Sequence, residues 1–224
     1  MTYSCLLLYS GGIDSTVLLH ILKKNGEEPL ALSFKYGQRN SIENHCAKLQ
    51  TSDLGVTFKT INLEPIFADF KSALCGTREE MPNTVDILGD AQPIIYVPYR
   101  NAIFLTIALG LAESYGINKI YYGAQLNDNY QFFDTTFDFV DVMNKLSYLN
   151  RKHACTILAP FSKTPKKEII QRGMALNVDF SRIVSCYNPI SNGFGIKSCG
   201  TCPSCTQRLK ELKELGLINP AKYK

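Results

Sequence analysis

Two clusters in this chain combine residue types and spacings suited to chemistry. The first is Ser10-Gly11-Gly12-Ile13-Asp14-Ser15. Its glycines let the backbone turn sharply and come close to a ligand. A helix starting here offers unpaired N–H groups and a partial positive charge. Ser10 and Ser15 add hydroxyl donors. That combination suits an oxyanion, a phosphate above all. Neither Gly-Lys-Ser/Thr nor G-x-G-x-x-G is present, so γ-phosphoryl transfer and dinucleotide binding are not the natural readings. The plain alternative is a Gly-rich turn in which Asp14 or Ser10 merely caps the helix.

The second cluster is Cys199-x-x-Cys202-x-x-Cys205, preceded by Cys186. Four thiolates meet the tetrahedral requirement of structural zinc, and a closed four-sulfur shell leaves no position for a reactive water. Two disulfides or an iron–sulfur cluster would use the same residues. Disulfides need an oxidising compartment, which nothing in the sequence indicates. Of the other thiols, Cys5 and Cys46 are expected to be buried structural residues.

These clusters sit in a chain of 224 residues, 45% hydrophobic and 20% charged, with a net charge of +4. Such values exclude a disordered tail, a fibrous repeat and a low-complexity chain. The mild positive charge suits anionic ligands and does not by itself imply nucleic acid. No apolar run is long enough to span a bilayer. Residues 1–9 lack a basic start and a cleavage site, and read as a first strand rather than a signal peptide. Eight cysteines in such a chain point to metal or reactive thiols, and to the cytoplasm.

Strand-like and helix-like segments alternate. Residues 4–9, 29–36, 56–63, 119–122 and 156–159 read as strands; residues 14–24, 41–54, 101–115 and 165–175 read as helices, with Ser41 as the second helix's cap. This predicts an α/β fold: a mainly parallel, Rossmann-like sheet of about five strands with helices on both faces. Ligands of such sheets bind beyond the carboxyl ends of the strands. Residues 10–15, 36–39, 96–101 and 123–128 are expected to converge there. Residues 76–93 are expected to form a long, mobile connection. From about Cys186 the composition shifts to Gly, Ser, Asn and Cys, and a short charged helix over 206–215 follows. The division expected is an α/β nucleotide-binding domain over 1–180 and a small metal-held lobe over 181–224, packed on it.

Ser-Gly-Gly-x-Asp-Ser after an N-terminal strand resembles the pyrophosphate loop of the ATP pyrophosphatase superfamily, whose fold is adenine-nucleotide α-hydrolase-like. Together with the cysteine pattern it resembles, over nearly the whole chain, the 7-cyano-7-deazaguanine synthase family. Phe34-Lys35-Tyr36-Gly37-Gln38-Arg39 looks like that family's His-Tyr-Gly-Gln-Arg segment. Val97-Pro98-Tyr99-Arg100-Asn101 resembles its Val-Pro-Gly-Arg-Asn, and Cys186-Tyr187-Asn188 with Cys199–Arg208 its zinc signature. Lys166 and Glu168 sit where the family has Lys-x-Glu.

The resemblance implies a reaction of 7-carboxy-7-deazaguanine, ATP and ammonia through an adenylate and an amide to a nitrile. It places Ser10, Gly11, Gly12, Ile13, Asp14, Ser15, Phe34, Tyr36, Gly37, Gln38, Asn101 and Gly123 at the nucleotide. It makes Asp14, Arg100 and Lys166 catalytic, with Asp14 helping to hold Mg²⁺. Cys186, Cys199, Cys202 and Cys205 would hold Zn²⁺. Tyr99, Asp128, Phe132 and Asp134 would meet the deazapurine. A homodimer is implied as well.

Two departures stand out. The family's glycine before Arg-Asn is Tyr99, and tyrosine does not easily take a positive φ. The family's Tyr-Pro-Asp-Cys-Arg is Phe132-Phe133-Asp134-Thr135-Thr136. Phe132, Phe133, Phe137 and Phe139 are expected chiefly as core, with a stacking wall for a base as the alternative. The altered segment motivates a second reading, an enzyme that hands the adenylated acid to a protein amine and stops at the amide. A third reading, RNA binding through the zinc lobe and Arg208, Lys210 and Lys213, is weakened by the interleaved Glu211 and Glu214. Cys75 and Cys155 are too distant in sequence to suggest a sulfur-transfer pair. His153 is expected at the surface, and no histidine has a partner that would make it a general base.

Overall fold

The protein is described by a computed structural model covering residues 2–40, 42–75, 80–87, 90, 92–125, 132–192 and 195–223. Five parallel strands form the central sheet: β1 (Cys5–Leu8), β2 (Pro29–Lys35), β3 (Thr57–Asn62), β4 (Lys119–Tyr121) and β5 (Thr156–Leu158), in the order β3-β2-β1-β4-β5. The chain therefore winds outward from β1 to one side, then crosses back to fill the other. Between β1 and β4 the winding reverses, which opens a crevice at their carboxyl ends.

Period-two alternation along the strands divides the core. Leu6, Leu30, Leu32, Ile120 and Ile157 face α4 (Arg100–Tyr115) and α5 (Phe137–Tyr148). Cys5, Leu7 and Ala31 face α1 (Ile13–Lys24), α6 (Lys166–Ala175) and α7 (Pro203–Glu214). Pro29 opens β2, where its missing N–H breaks little of the ladder. The remaining elements are α2 (Ile42–Asp53), the single turn α3 (Glu64–Phe67), and a hairpin of β6 (Ile190–Asn192) and β7 (Gly195–Lys197).

The expected strands and the first four helices are present within one residue of their boundaries, and the last helix begins three residues early, at Pro203. Further differences lie elsewhere. The aromatic run contains α5, whose N-cap Thr136 accepts from the Phe139 N–H. Ser41 and Asp128 lie outside the described residues. The side chain of Asn40 does the capping at α2, accepting from the Glu43 N–H at 3.2 Å. Within 76–93, residues Thr84–Ile87 form a 3₁₀ turn that buries Ile87, and Thr84 and Thr206 hydroxyls meet at 2.6 Å. That part of the connection is pinned to α7; residues 76–79, 88, 89 and 91 are outside the described residues.

Arg208 corrects the RNA-binding reading. It is buried, and its guanidinium donates at 2.8 Å to the carbonyls of both Ile183 and Phe180. His153 is only partly exposed, with Nε2 2.8 Å from the Ile117 carbonyl. Cys5 is fully buried as expected, whereas Cys46 is half-buried.

Candidate active site

A cavity of about 310 Å³ occupies the crevice beyond β1, β2 and β4. Its floor is the loop from β1 to α1. Gly12 is the N-cap of α1, and no side chain caps that helix. Its first N–H groups are therefore left to a ligand. The Ser10 and Ser15 hydroxyls lie 3.2 Å apart, and Ser10 accepts from the Gly12 N–H. Gly11 adopts φ +84°, and a Cβ there would lie 2.8 Å from that of Ala47 in α2. Only glycine permits both the turn and this close packing. Gly123, after β4, sits against the same loop, where a Cβ would be 3.5 Å from the Ser15 nitrogen.

Asp14 and Lys166 meet here from distant parts of the chain. The Lys166 ammonium, on α6, donates to both Asp14 oxygens at 2.7 and 2.6 Å, and the residue is only 8% exposed. A carboxylate beside an anion-binding loop repels phosphates, and this pairing offsets that repulsion before ligand arrives.

Arg100 begins α4 on the facing wall. Its guanidinium donates to the Tyr36 hydroxyl at 3.3 Å. Burial works against its charge, but Tyr36, Asp134, Tyr122 and Tyr187 around it hold it protonated, above its ordinary value. Asp134 is buried beneath the start of α4, accepting from the Asn101 N–H at 3.3 Å. Burial raises its carboxyl, with Arg100 pulling the other way. Asp134 thus braces Arg100 and Asn101 from behind. Gln38 has a similar bracing role: its side chain spans the Gly37 turn, accepting from the Tyr36 N–H and donating to the Phe34 carbonyl. Phe34 stacks on Phe104 at 4.1 Å.

Glu43 was not among the residues singled out from sequence. It is the second residue of α2, four residues after Arg39, and lines the cavity beside Ser10 and Gly12. Its spacing from Gly37-Gln38-Arg39 was the only available signal. Desolvation pushes its carboxyl up to about 8, against opposing effects of Arg100 and of a hydrogen bond from Ser10. Near neutral pH it holds a proton in the folded protein, while the unfolded chain, at its ordinary 4.5, has lost it. The stability of the ligand-free protein should therefore fall as pH rises from about 4.5 to about 8. Glu43→Gln should flatten that slope and leave the protein more stable than the parent at pH 8. Urea melts at several pH values measure this; parallel slopes would refute it.

Tyr99, despite its side chain, takes the left-handed conformation that the position demands, at φ 50° and ψ 21°. Such a residue stores about 1–3 kcal/mol of strain. Its ring meets Phe133 edge-on at 5.3 Å, a pairing worth about 0.5–1.5 kcal/mol. Within the aromatic run, Phe139 belongs to the core, whereas Phe133 and Phe137 are 43% and 60% exposed. Phe132 packs partly buried against that core and stacks near Tyr96.

The four cysteine sulfurs of Cys186, Cys199, Cys202 and Cys205 lie within 4.8 Å of one another. Tetrahedral Zn–S bonds of about 2.3 Å require sulfurs about 3.8 Å apart, and Cys199 and Cys205 are 4.0 Å apart. Backbone N–H groups of Asn188 and Cys199 point at the Cys186 sulfur, at 3.4 and 3.2 Å. The set fits a metal ion. This lobe also builds the cavity wall, through Ser185, Tyr187, Ser204 and Gln207.

The model of the family described as "Queuosine biosynthesis protein QueC" matches residues 4–216. The chain belongs to that family. A 7-cyano-7-deazaguanine synthase of Pelobacter propionicus is 38% identical to this QueC-family chain over 232 residues, covering all of it and 99% of the relative. Another from Myxococcus xanthus is 35% identical over 231 residues, covering all of this chain and 98% of its own. Among solved structures, NMN synthetase from Francisella tularensis superposes with a TM-score of 0.52 at 17% identity, over 97% of this chain and 74% of its own. The U34-tRNA thiolase NcsA from Methanococcus maripaludis, solved with its [4Fe–4S] cluster, gives 0.53 at 12% identity, over 96% and 66%. These likenesses establish the fold, an adenine-nucleotide α-hydrolase-like sheet, for the QueC-family chain.

Proposed function

We propose that this protein is an ATP-dependent carbon–nitrogen ligase that converts 7-carboxy-7-deazaguanine to 7-cyano-7-deazaguanine. The observation that carries the proposal is the uncapped N-terminus of α1, with its Ser10 and Ser15 hydroxyls, facing Lys166 and Arg100 across one cavity. The 7-cyano-7-deazaguanine synthases that match this chain end to end support the same reading.

A carboxylate is a poor electrophile because its leaving group would be oxide. Attack of a carboxylate oxygen on the α-phosphorus expels pyrophosphate and forms an acyl adenylate. Ammonia then attacks the carbonyl carbon, AMP leaves, and one proton is lost, giving the amide. In the second half, the amide oxygen attacks a second ATP and again expels pyrophosphate. The nitrogen gives up its protons as AMP departs with the oxygen, leaving the nitrile.

The protein's part is to bring anions together and hold them. The loop from Ser10 to Ser15 would grip the outer phosphates, with Phe34, Tyr36, Gly37, Gln38, Asn101 and Gly123 around the nucleotide. Lys166 and Arg100 would offset the charge of carboxylate and α-phosphate. Asp14, an oxygen donor of the kind magnesium prefers, would hold Mg²⁺, which when bound neutralises the departing pyrophosphate. The cysteines would hold structural Zn²⁺: the compact sulfur set suits one ion, whereas a four-iron cube spreads its ligands wider. No feature of the described residues favours transfer to a protein amine. Residues 181–224 act as the metal-held lobe of one enzyme unit. Val142 and Leu146 on one face of α5, with Leu149 just beyond its end, are exposed and would supply an apolar surface for a homodimer. Among the described residues no helix is long and apolar enough to cross a membrane, and the thiol chemistry suits the cytoplasm.

Incubation with the acid, ATP and ammonium should yield the nitrile by mass spectrometry, with AMP and pyrophosphate and without ADP. Accumulation of ADP, or a product that stops at the amide with ATP in excess, would overturn the proposal.

A further inference from the structure

Nitrogen enters the proposed reaction as ammonia and leaves it as a nitrile, so every proton it carries must be taken away. Among the described residues the charged side chains lining the cavity are Asp14, Arg39, Glu43, Arg100 and Lys166, and no histidine lines it. The three cations have no lone pair to offer a proton. Asp14 is committed to the Lys166 ammonium through both of its oxygens. Glu43 is the carboxyl that remains. Its place suits a proton acceptor. A Cβ on Gly12 would lie 3.5 Å from Glu43 Oε1, and the Ser10 hydroxyl donates to the carboxyl. Arg100 acts on it from the start of α4 and favours its ionised form. Glu43 therefore shares the crevice with the loop that would hold the outer phosphates and with the guanidinium that would offset the charge of acid and α-phosphate. The acyl carbon of the adenylate, where nitrogen attacks, would lie between those two groups.

We propose that Glu43 is the proton acceptor for the nitrogen substrate, its carboxylate taking the proton that ammonia loses as it displaces AMP and those that the amide loses as the nitrile forms. This deepens the proposed reaction and rests on it. In the first half the nitrogen lone pair forms the C–N bond. The C–O bond to AMP breaks, AMP leaves with that electron pair, and an N–H proton passes to a Glu43 oxygen. Solvent then removes the proton and restores the base. In the second half the nitrogen loses its two protons in turn to the same carboxylate, reset by solvent between them, while AMP carries off the oxygen and the C–N triple bond closes. Desolvation supports the assignment. A carboxyl raised to about 8 is a far stronger base than an ordinary one and is still partly ionised near neutral pH, which is where a general base works best. The other titratable groups facing it are Tyr9 just past β1, Tyr36 beyond β2 and Cys46 on its own helix, and its charge helps to keep all three neutral.

The test separates the two halves of the chemistry in the parent and in Glu43→Gln, which keeps the shape of the side chain but cannot take a proton. Exchange of labelled pyrophosphate into ATP, dependent on 7-carboxy-7-deazaguanine, reads adenylation and also reports that the site is folded. Mass spectrometry of amide and nitrile reads the nitrogen steps. In Glu43→Gln the rate of amide formation, divided by the rate of exchange, should fall about a hundredfold. Nitrile formation from the preformed amide should fall as well. In the parent, amide formation at constant unprotonated ammonia should rise with pH and level off near 8, and the residual rate of Glu43→Gln should not follow that rise. Exchange and amide formation falling by the same factor would overturn the proposal and make Glu43 a phosphate-site residue. An unchanged ratio with both rates intact would overturn it too, leaving the reaction itself standing. A parent that shows no acid-dependent exchange sinks the reaction and this role with it.

Discussion

Cys202→Ser should lose its metal and much of its fold together. Content measured by elemental mass spectrometry should drop from about one ion per chain to near zero, and the melting temperature should fall by about 10 °C or more. The reasoning starts from position. Cys202 is the N-cap of α7 and, with its three partners, sits in a small core of its own with Tyr187 and Tyr223 packed around it. Met81 also packs on this small core. From there α7 carries Leu212 into the core beneath α1 and α6, and Arg208 onto the carbonyls of Phe180 and Ile183. Releasing the start of α7 loosens all of these. Structural zinc contributes about 10–16 kcal/mol of binding to folding in small peptides. Whole domains have only about 5–15 kcal/mol of stability, so losing even about 3 kcal/mol matters, at 2–4 °C per kcal/mol for a chain of this size. Activity should fall in parallel, since Tyr187, Ser204 and Gln207 would no longer wall the cavity. Cys46→Ser, at a half-buried thiol outside the cluster, is the control and should behave as the parent. A metal-free Cys202→Ser that melts with the parent would dispose of the structural role.

The parts of this molecule written in local sequence were readable, and the parts set by tertiary contact were not. The strands and most helices are announced by apolar runs and by stops at Gly26, Gly55 and Gly116, each of which has positive φ. The phosphate loop and the cysteine pattern are short, contiguous and chemically distinctive. Helix α5 is not announced in this way, although Phe139, Val140 and Met143, with the small Ser147, share a buried face; four phenylalanines in and before it point to bulk packing instead. Glu43 could not be singled out, because its importance comes from α2 folding back onto the loop at Gly11 and Gly12. Nor does a basic helix reveal that Arg208 points inward to carbonyls rather than outward to solvent. At Tyr99 the expectation that a side chain resists positive φ met a stronger constraint, the geometry that starts α4 under Arg100 and Asn101. Local preference lost there to the geometry of the helix start.

The largest effect on catalysis is expected at the Asp14–Lys166 pair, and the pattern across a double-mutant cycle matters more than any single loss. Lys166→Met should lower kcat/KM for ATP about a thousandfold, which corresponds to about 4 kcal/mol of transition-state stabilisation. Asp14→Asn should lose a comparable amount, chiefly in kcat. The two losses have different origins. Removing Lys166 strips the partner from a carboxylate that it holds at 2.6 and 2.7 Å. The orphaned charge then faces the incoming triphosphate from the very loop meant to bind it, so the KM for ATP should rise. Removing Asp14 leaves a cation that still attracts phosphate, so nucleotide should bind with the parent's KM or a lower one, yet react slowly. In the doubly substituted Asp14→Asn/Lys166→Met protein both charges are gone. It should recover stability and part of the KM relative to Lys166→Met, while kcat stays low because neither group is left to act in the transition state. Coupling of this kind is the signature of groups in direct contact. Steady-state pyrophosphate release at varied ATP, with urea melts of all four proteins, reads every term of the cycle. Strictly additive losses, or a Lys166→Met enzyme within threefold of the parent, would mean that the contact is structural and that the triphosphate is held some other way.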